Sequence, residues 1–269
     1  TIYYGGQSPT TSSTEEYNRA SSVITAGAWA AGGVYPMTVY ASYGVGTLTA
    51  GLSMGGVGAP TPAGQVLSAE YDGTSWGNTG TLATTAHARA GAGIQTAGLA
   101  FGGEGPAPQT DATEEYDGTN WTTGGVLGTA RYALSGAGLQ TAGLAMGGRA
   151  SAASPGAVEE YGGTSWTAGT VQPSATSYAG SCGTQTSAVL FGSAPVSTTG
   201  TFHYDGTNWT AGGALLVAMQ NATGSGTQTA ALQASGATSP PSTVINLTQQ
   251  YDGTAWATNP SIATARRYS

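Results

Sequence analysis

The string YDGTNWTTGG, Tyr116 to Gly125, returns at Tyr204 as YDGTNWTAGG, and close relatives of it begin at Tyr71, Tyr161 and Tyr251. Adding Tyr17 gives six markers separated by 54, 45, 45, 43 and 47 residues. A period of that length is the signature of an array of small supersecondary units, none of which can bury its apolar face alone. Six such units use up the 269 residues, so one domain spanning 1–269 is predicted. The long first step has a local origin. Tyr17 and Trp29 are separated by NRASSVITAGA, whereas the other Tyr and Trp are five apart, which places an insertion inside one hairpin.

Within a unit the order is GAGLQTAGLAMGG, a variable Pro- and Ser-containing segment, VEEYGGTSW, and a tail such as TAGTVQPSAT. Short alternating runs punctuated by Gly, Asp-Gly and Pro, with no 3.6-residue period, predict strands and turns. Each unit then reads as four strands; for the unit marked by Tyr161 they fall near Leu134 to Leu139, Ala142 to Met146, Ala157 to Tyr161 and Ser165 to Gly169. Asp-Gly ahead of the Trp is a tight-hairpin signal, because Gly accepts positive φ cheaply and Asp can cap its own turn.

Four-stranded sheets that must cover one another face to face predict an all-β fold, a six-bladed β-propeller of four-stranded antiparallel blades. The 45 glycines and many alanines suit strands crowded around an axis, and six Trp and fourteen Tyr suit the wider gaps further out. Burying each such aromatic is worth roughly 1.5 to 3 kcal/mol. The C-terminal TARRYS matches TARYAL (Thr129 to Leu134), and the N-terminal IYYGG matches LAMGG. Residues Ala265 to Ser269 are therefore expected to supply the innermost strand of the N-terminal blade and close the ring.

A double Gly ending the second strand (Gly5-Gly6, Gly55-Gly56, Gly102-Gly103, Gly147-Gly148), followed by a Tyr and then a Trp, resembles the kelch family across essentially the whole chain. The later units depart from it, with Gly192-Ser193 and Ser235-Gly236 in those places. The wording YDGTNWT…GG…TAR…GAGLQTAGLAMGG also resembles kelch-like repeat proteins of bacteriophages and environmental bacteria. That resemblance implies a virion or extracellular location and a tail- or capsid-associated role.

Charge narrows the partners. The net charge is −7, lysine is absent, and the six Arg (Arg19, Arg89, Arg131, Arg149, Arg266, Arg267) are spread along the chain, so no stripe exists to neutralise nucleic acid or an anionic membrane. No apolar run reaches the roughly 18 to 20 residues of a membrane span. The single cysteine, Cys182, makes no internal disulfide and is expected to be a small buried hydrophobe.

Four sets of residues are candidates for chemistry. His87 and His203 fall before a first strand and in a third strand, on different units, which argues against the copper site of galactose oxidase-type propellers; no metal and no cofactor is expected. Asp72, Asp117, Asp205 and Asp252 resemble the Asp-box of sialidases but are explained by turn geometry. The pairs Glu15-Glu16, Glu114-Glu115 and Glu159-Glu160 point to opposite sheet faces and so form no catalytic dyad; a packing role is expected and no catalytic residue is assigned. Asn120, Asn208, Asn221 and Asn246 begin glycosylation sequons, which matter only in a eukaryotic secretory host.

Antiparallel order places GLQTAG and YDGTNW on one face and the non-repeating loops on the other. On that second face, alignment of the units puts Tyr40, His87, Tyr132, Ser177, Gln220 and Arg267 at one register, expected to ring the mouth of the axial channel. A uniform scaffold carrying non-uniform side chains at one ring is what a recognition surface requires. The expectation is a non-enzymatic interaction module, a phage virion adhesin binding a host-surface glycan or another virion protein, including as a homo-oligomer in a larger assembly. The alternatives are a secreted or cell-surface bacterial lectin and a glycan hydrolase or lyase using Arg131 or Tyr132.

Overall fold

The computed structural model describes residues 28–58, 64–106, 109–150, 156–194, 197–239 and 242–267, and the backbone alone of 2–4 and 14–18. The double Gly at 5–6, Arg19, parts of every non-repeating loop, Tyr268 and Ser269 lie outside them.

The chain is an all-β propeller of small antiparallel sheets, named here by their marker tyrosines. The Tyr161 sheet contains Ser135–Leu139, Ala142–Met146, Val158–Tyr161 and Trp166–Ala168, each strand pairing with the next. The Tyr71, Tyr116, Tyr204 and Tyr251 sheets repeat this order, so five sheets are four-stranded.

The sixth unit corrects the expectation. The Tyr17 sheet has three strands among the described residues, Ile2–Tyr4, Thr14–Asn18 and Ala28–Ala31. Its register is that of a second, third and fourth strand: Ile2 pairs with Glu16 and Tyr4 with Thr14, as Leu144 pairs with Glu160 and Met146 with Val158. Residues 265–267 form no strand beside Ile2–Tyr4; instead Arg266 O accepts a bond from Gly236 N at 3.0 Å, which holds this segment on the Tyr251 sheet. The insertion falls where expected, since Tyr17 pairs with Trp29 and the hairpin extends through Asn18 and Ala28.

The Asp-Gly hairpins are four-residue loops. Tyr116 pairs with Trp121, Gly118 has φ +93°, and Asp117 Oδ1 accepts from the amides of Thr119 and Asn120 at 2.8 and 2.7 Å. The same two bonds form at Asp72, Asp205 and Asp252. The double Gly is also explained: Gly147 and Gly148 have φ of +61° and +97°, two successive left-handed residues that let the chain leave the second strand.

These exposed turn carboxylates set an acid response. The amide three residues on, then the amide two residues on, hold each Asp below its usual range. A carboxylate whose folded pKa is depressed contributes stability that is full above about pH 4 and is lost as pH falls through the folded value. Replacing all four with Asn, which keeps the acceptor but removes the titration, is expected to flatten the fall in stability below about pH 4 in denaturant melts.

Candidate functional site

Four sets of contacts join the sheets to one another and so set the two faces. At the outer radius, the Tyr and Trp of each four-stranded sheet pack on one another, with ring centroids 4.9 Å apart for Tyr161 and Trp166. Trp166 also meets Phe101 of the preceding sheet edge-on at 4.9 Å and donates Nε1 to Thr113 Oγ1 at 2.9 Å.

The Glu pairs divide their labour, as opposite-facing strand residues must. The second member accepts from the next sheet's Tyr hydroxyl, Glu160 from Tyr204 at 2.6 Å and Glu115 from Tyr161, and Glu70, which follows Ala69 at the same register, accepts from Tyr116 at 2.8 Å. Burial, reinforced by the carboxylate, pushes the phenols of Tyr116 and Tyr161 up to about 12. His203 stands at this register in the Tyr204 sheet and meets Tyr251 Oη at 3.0 Å, so it replaces a Glu in a packing contact.

The first member faces an arginine. Glu159 Oε1 accepts from Arg131 Nη2 at 2.6 Å while its other oxygen accepts from Gly128 N at 2.6 Å. Glu114 accepts from Arg89 Nη1 at 3.1 Å and from the amides of Ala83 and Thr84 at 2.5 and 3.1 Å. Both pairs are buried, and Arg131 has none of its side chain exposed. Arg131 is thus held inside the blade and is closed to substrate.

Glutamines form the third set, and sequence reasoning missed them. Gln140 Nε2 donates to Gly98 O at 3.1 Å and Tyr116 O at 2.7 Å of the preceding sheet. Gln95, Gln185 and Gln228 make the same two-pronged contact. Their signal is present in the repeated GLQTAG turn, where the conspicuous glycines point to turn geometry and mask it. The opposite face is therefore occupied by inter-sheet clamps.

The innermost set is a chain of backbone bonds around the axis. Ala88 N donates to Ala41 O at 3.0 Å, Ala133 N to Ala88 O at 2.8 Å, Tyr178 N to Ala133 O at 2.9 Å and Asn221 N to Tyr178 O at 2.8 Å. All five residues are left-handed, with φ between 47° and 54°. For a tyrosine this backbone is costly, on the order of 1 to 3 kcal/mol, and it persists because both neighbouring blades fix it.

Each residue of the expected ring, Arg267 aside, immediately precedes a member of this chain. Tyr40 pairs with Val57, His87 with Glu104, Tyr132 with Arg149 and Gln220 with Ala237, while Ser177 O accepts from Ala194 N at 2.9 Å. The structure thus gives five of the six one backbone setting with different side chains. Tyr40, His87, Tyr132, Gln220 and Arg267 are half-buried, and Ser177 is buried. The Arg149 guanidinium lies 5.9 Å from the Tyr132 ring centroid, His87 Nε2 lies 3.7 Å from Glu104, and Arg267 donates to Ser242 Oγ at 3.0 Å. Burial lowers the His87 pKa, opposed by Glu104.

The axis itself is not walled by these six. A cavity of about 100 Å³ is lined by the residues that follow them, among them Ala41, Ser42, Ala133, Tyr178 and Asn221. Tyr43, part of the same lining, donates Oη to Gly136 O, two sheets away, at 3.0 Å. Among the described residues, Ser42 Oγ and Asn221 Oδ1 are buried without a protein partner. The one charged residue in the lining among the described residues, Arg89, is neutralised by Glu114, so the cavity suits neutral groups.

Cys182 is buried and free, and burial pushes its thiol up to about 12. Among the described residues no three His, Cys, Asp or Glu side chains converge as a metal site requires. Of the sequon residues, Asn120 and Asn208 are exposed and Asn221 is buried. In comparisons with known proteins, no family model matches this chain. No curated protein matches it either.

Proposed function

We propose that the chain is a closed, six-bladed, kelch-like propeller acting as a non-enzymatic recognition module, a virion-associated adhesin whose rim at Tyr40, His87, Tyr132, Ser177, Gln220 and Arg267 binds a host-surface glycan. Closure is supported at the outer radius. Trp29 Nε1 donates to Pro260 O at 2.9 Å, the contact that Trp209 makes with Thr170 O at 2.9 Å one sheet back. Trp29 also packs against Leu232, Ala234 and Ile262, and Gly33 N lies 3.5 Å from Tyr71 Oη, so the Tyr17 sheet touches a neighbour on each side.

The observation that carries the recognition reading is the rim itself: at five of its six positions one backbone setting, fixed by inter-blade bonds, carries phenol, imidazole, hydroxyl and amide groups, and Arg267 adds a guanidinium. Such groups match the hydroxyls and the apolar faces of sugars. Five glutamates are engaged in packing, Glu114 and Glu159 by buried arginines and Glu70, Glu115 and Glu160 by tyrosine hydroxyls, while Glu104 stands beside His87 at the rim.

A glycan array probed with the purified chain tests this. Binding to a restricted set of glycans, without release of products, is expected, and Tyr132→Ala with Gln220→Ala is expected to abolish it while leaving the melting temperature within a few degrees. A flat array, or binding unchanged by both substitutions, contradicts the reading.

A further inference from the structure

We propose, building on the recognition reading above, that the ligand bound at the rim carries a carboxylate, as a uronic or similarly acidic sugar does, and that Arg149 is the residue that selects it. Positive charge is scarce in this chain and unevenly placed. Lysine is absent. Arg89 and Arg131 are buried against Glu114 and Glu159, and Arg266 is buried as well. Among the described residues that leaves two guanidiniums with access to solvent, the exposed Arg149 and the half-buried Arg267. Both stand on the face of the non-repeating loops, Arg149 paired with the rim residue Tyr132 and Arg267 at the rim register itself. The opposite face carries the exposed carboxylates of Asp72, Asp117, Asp205 and Asp252.

Arg149 is held in place by its backbone and by its side chain. Its amide donates to Tyr132 O at 2.7 Å and its carbonyl accepts from Tyr132 N at 3.1 Å. The preceding unit makes the same two-bond exchange between His87 and Glu104, at 2.8 Å each way, and the bond from Ala133 N to Ala88 O at 2.8 Å sets the two ladders side by side. The Arg149 guanidinium lies over the Tyr132 ring, and among the described residues no carboxylate pairs with it. Packing on a ring face orients a guanidinium and leaves its N–H edge free, and that edge matches the two oxygens of a carboxylate. The His87 ladder limits the anion. Glu104 presents acceptors for sugar hydroxyls, and its charge disfavours a doubly charged phosphate beside Arg149. Asp111, the other acid described on this face, lies further out, two residues ahead of the third strand Thr113–Tyr116.

The test immobilises oligosaccharides of galacturonate, glucuronate and sialate, each beside its carboxyl-reduced form, together with galactose sulfate, and titrates them with the full chain. At least one acidic sugar is expected to bind roughly tenfold or more tightly than its reduced form. That preference is expected to shrink as salt rises from about 0.05 to about 0.5 M. Arg149→Gln is expected to bring the ratio to within about twofold of one, and Arg149→Lys to an intermediate value, because a point charge replaces the fork. Both variants are expected to melt within a few degrees of the parent, since the side chain is exposed. Reduced forms bound as tightly as acidic ones, or a preference that survives Arg149→Gln, overturn the proposal and leave the recognition reading standing. Galactose sulfate bound more tightly than galacturonate assigns Arg149 to sulfate esters and overturns the carboxylate. A panel with no binding at all overturns both the proposal and the recognition reading.

Discussion

Glu159→Ala lowers the stability of the folded chain by roughly 3 to 5 kcal/mol in denaturant melts, because it leaves the Arg131 guanidinium buried without its counter-charge. Arg131 has no exposed side-chain area through which water could replace the carboxylate, and its bonds to the carbonyls of Gly147 and Ala157 neutralise no charge. The amide of Gly128 loses its acceptor in the same substitution. The double variant Arg131→Met with Glu159→Leu removes both charges and keeps the volume, so it is expected to recover most of the loss. That recovery separates a buried ion pair from a residue needed for its shape. Were Glu159→Ala to cost under about 1 kcal/mol, the pair would be behaving as a solvated surface contact.

Tyr161→Ala is expected to cost about as much, roughly 3 to 5 kcal/mol, for a different reason. The ring is fully buried, lies against Trp166, and closes the gap to the preceding sheet in a cluster with Leu99, Phe101 and Leu127. Tyr161→Phe keeps that volume and removes only the hydroxyl that donates to Glu115, so roughly 1 to 2 kcal/mol is expected. The order of the two losses tests whether burial between sheets or the hydrogen bond dominates. A Phe variant as damaged as the Ala variant would place the stability in the polar contact.

The repeat made most of this architecture legible. Strand positions in the Tyr161 unit followed from the spacing of Gly, Tyr and Trp, because a period-two pattern between strong turn signals leaves little freedom in register. The Asp loops and the burial of Cys182 were readable for the same reason: they are local consequences of residue type. What could not be read was pairing between units. Arg89 and Arg131 hold equivalent glutamates from non-equivalent positions, Arg131 standing before the rim residue of its unit and Arg89 after it, so aligning the repeats hides the pairing. The glutamine clamps and the left-handed chain around the axis are contacts between adjacent copies, which an alignment superposes and so erases. The rim register lies one residue from the backbone chain that fixes it; the cavity wall and the Tyr43 bond to Gly136 needed three dimensions. The expectation of a fourth strand in the N-terminal unit rested on matching TARRYS to TARYAL, a match confined to the lead-in that precedes a strand.

Mutual burial that returns on itself is the centre of this account, and the contact between Trp29 and the segment around Pro260 and Ile262 is where it is decided. A benzophenone amino acid placed at position 29, irradiated at low protein concentration and mapped by mass spectrometry, reads that contact directly. The account predicts an intramolecular crosslink joining residue 29 to the 256–266 segment or to the Ala230–Thr238 strand. Crosslinks confined to neighbouring residues of the N-terminal sheet, or found only between molecules, would mean an open stack of sheets and would contradict it.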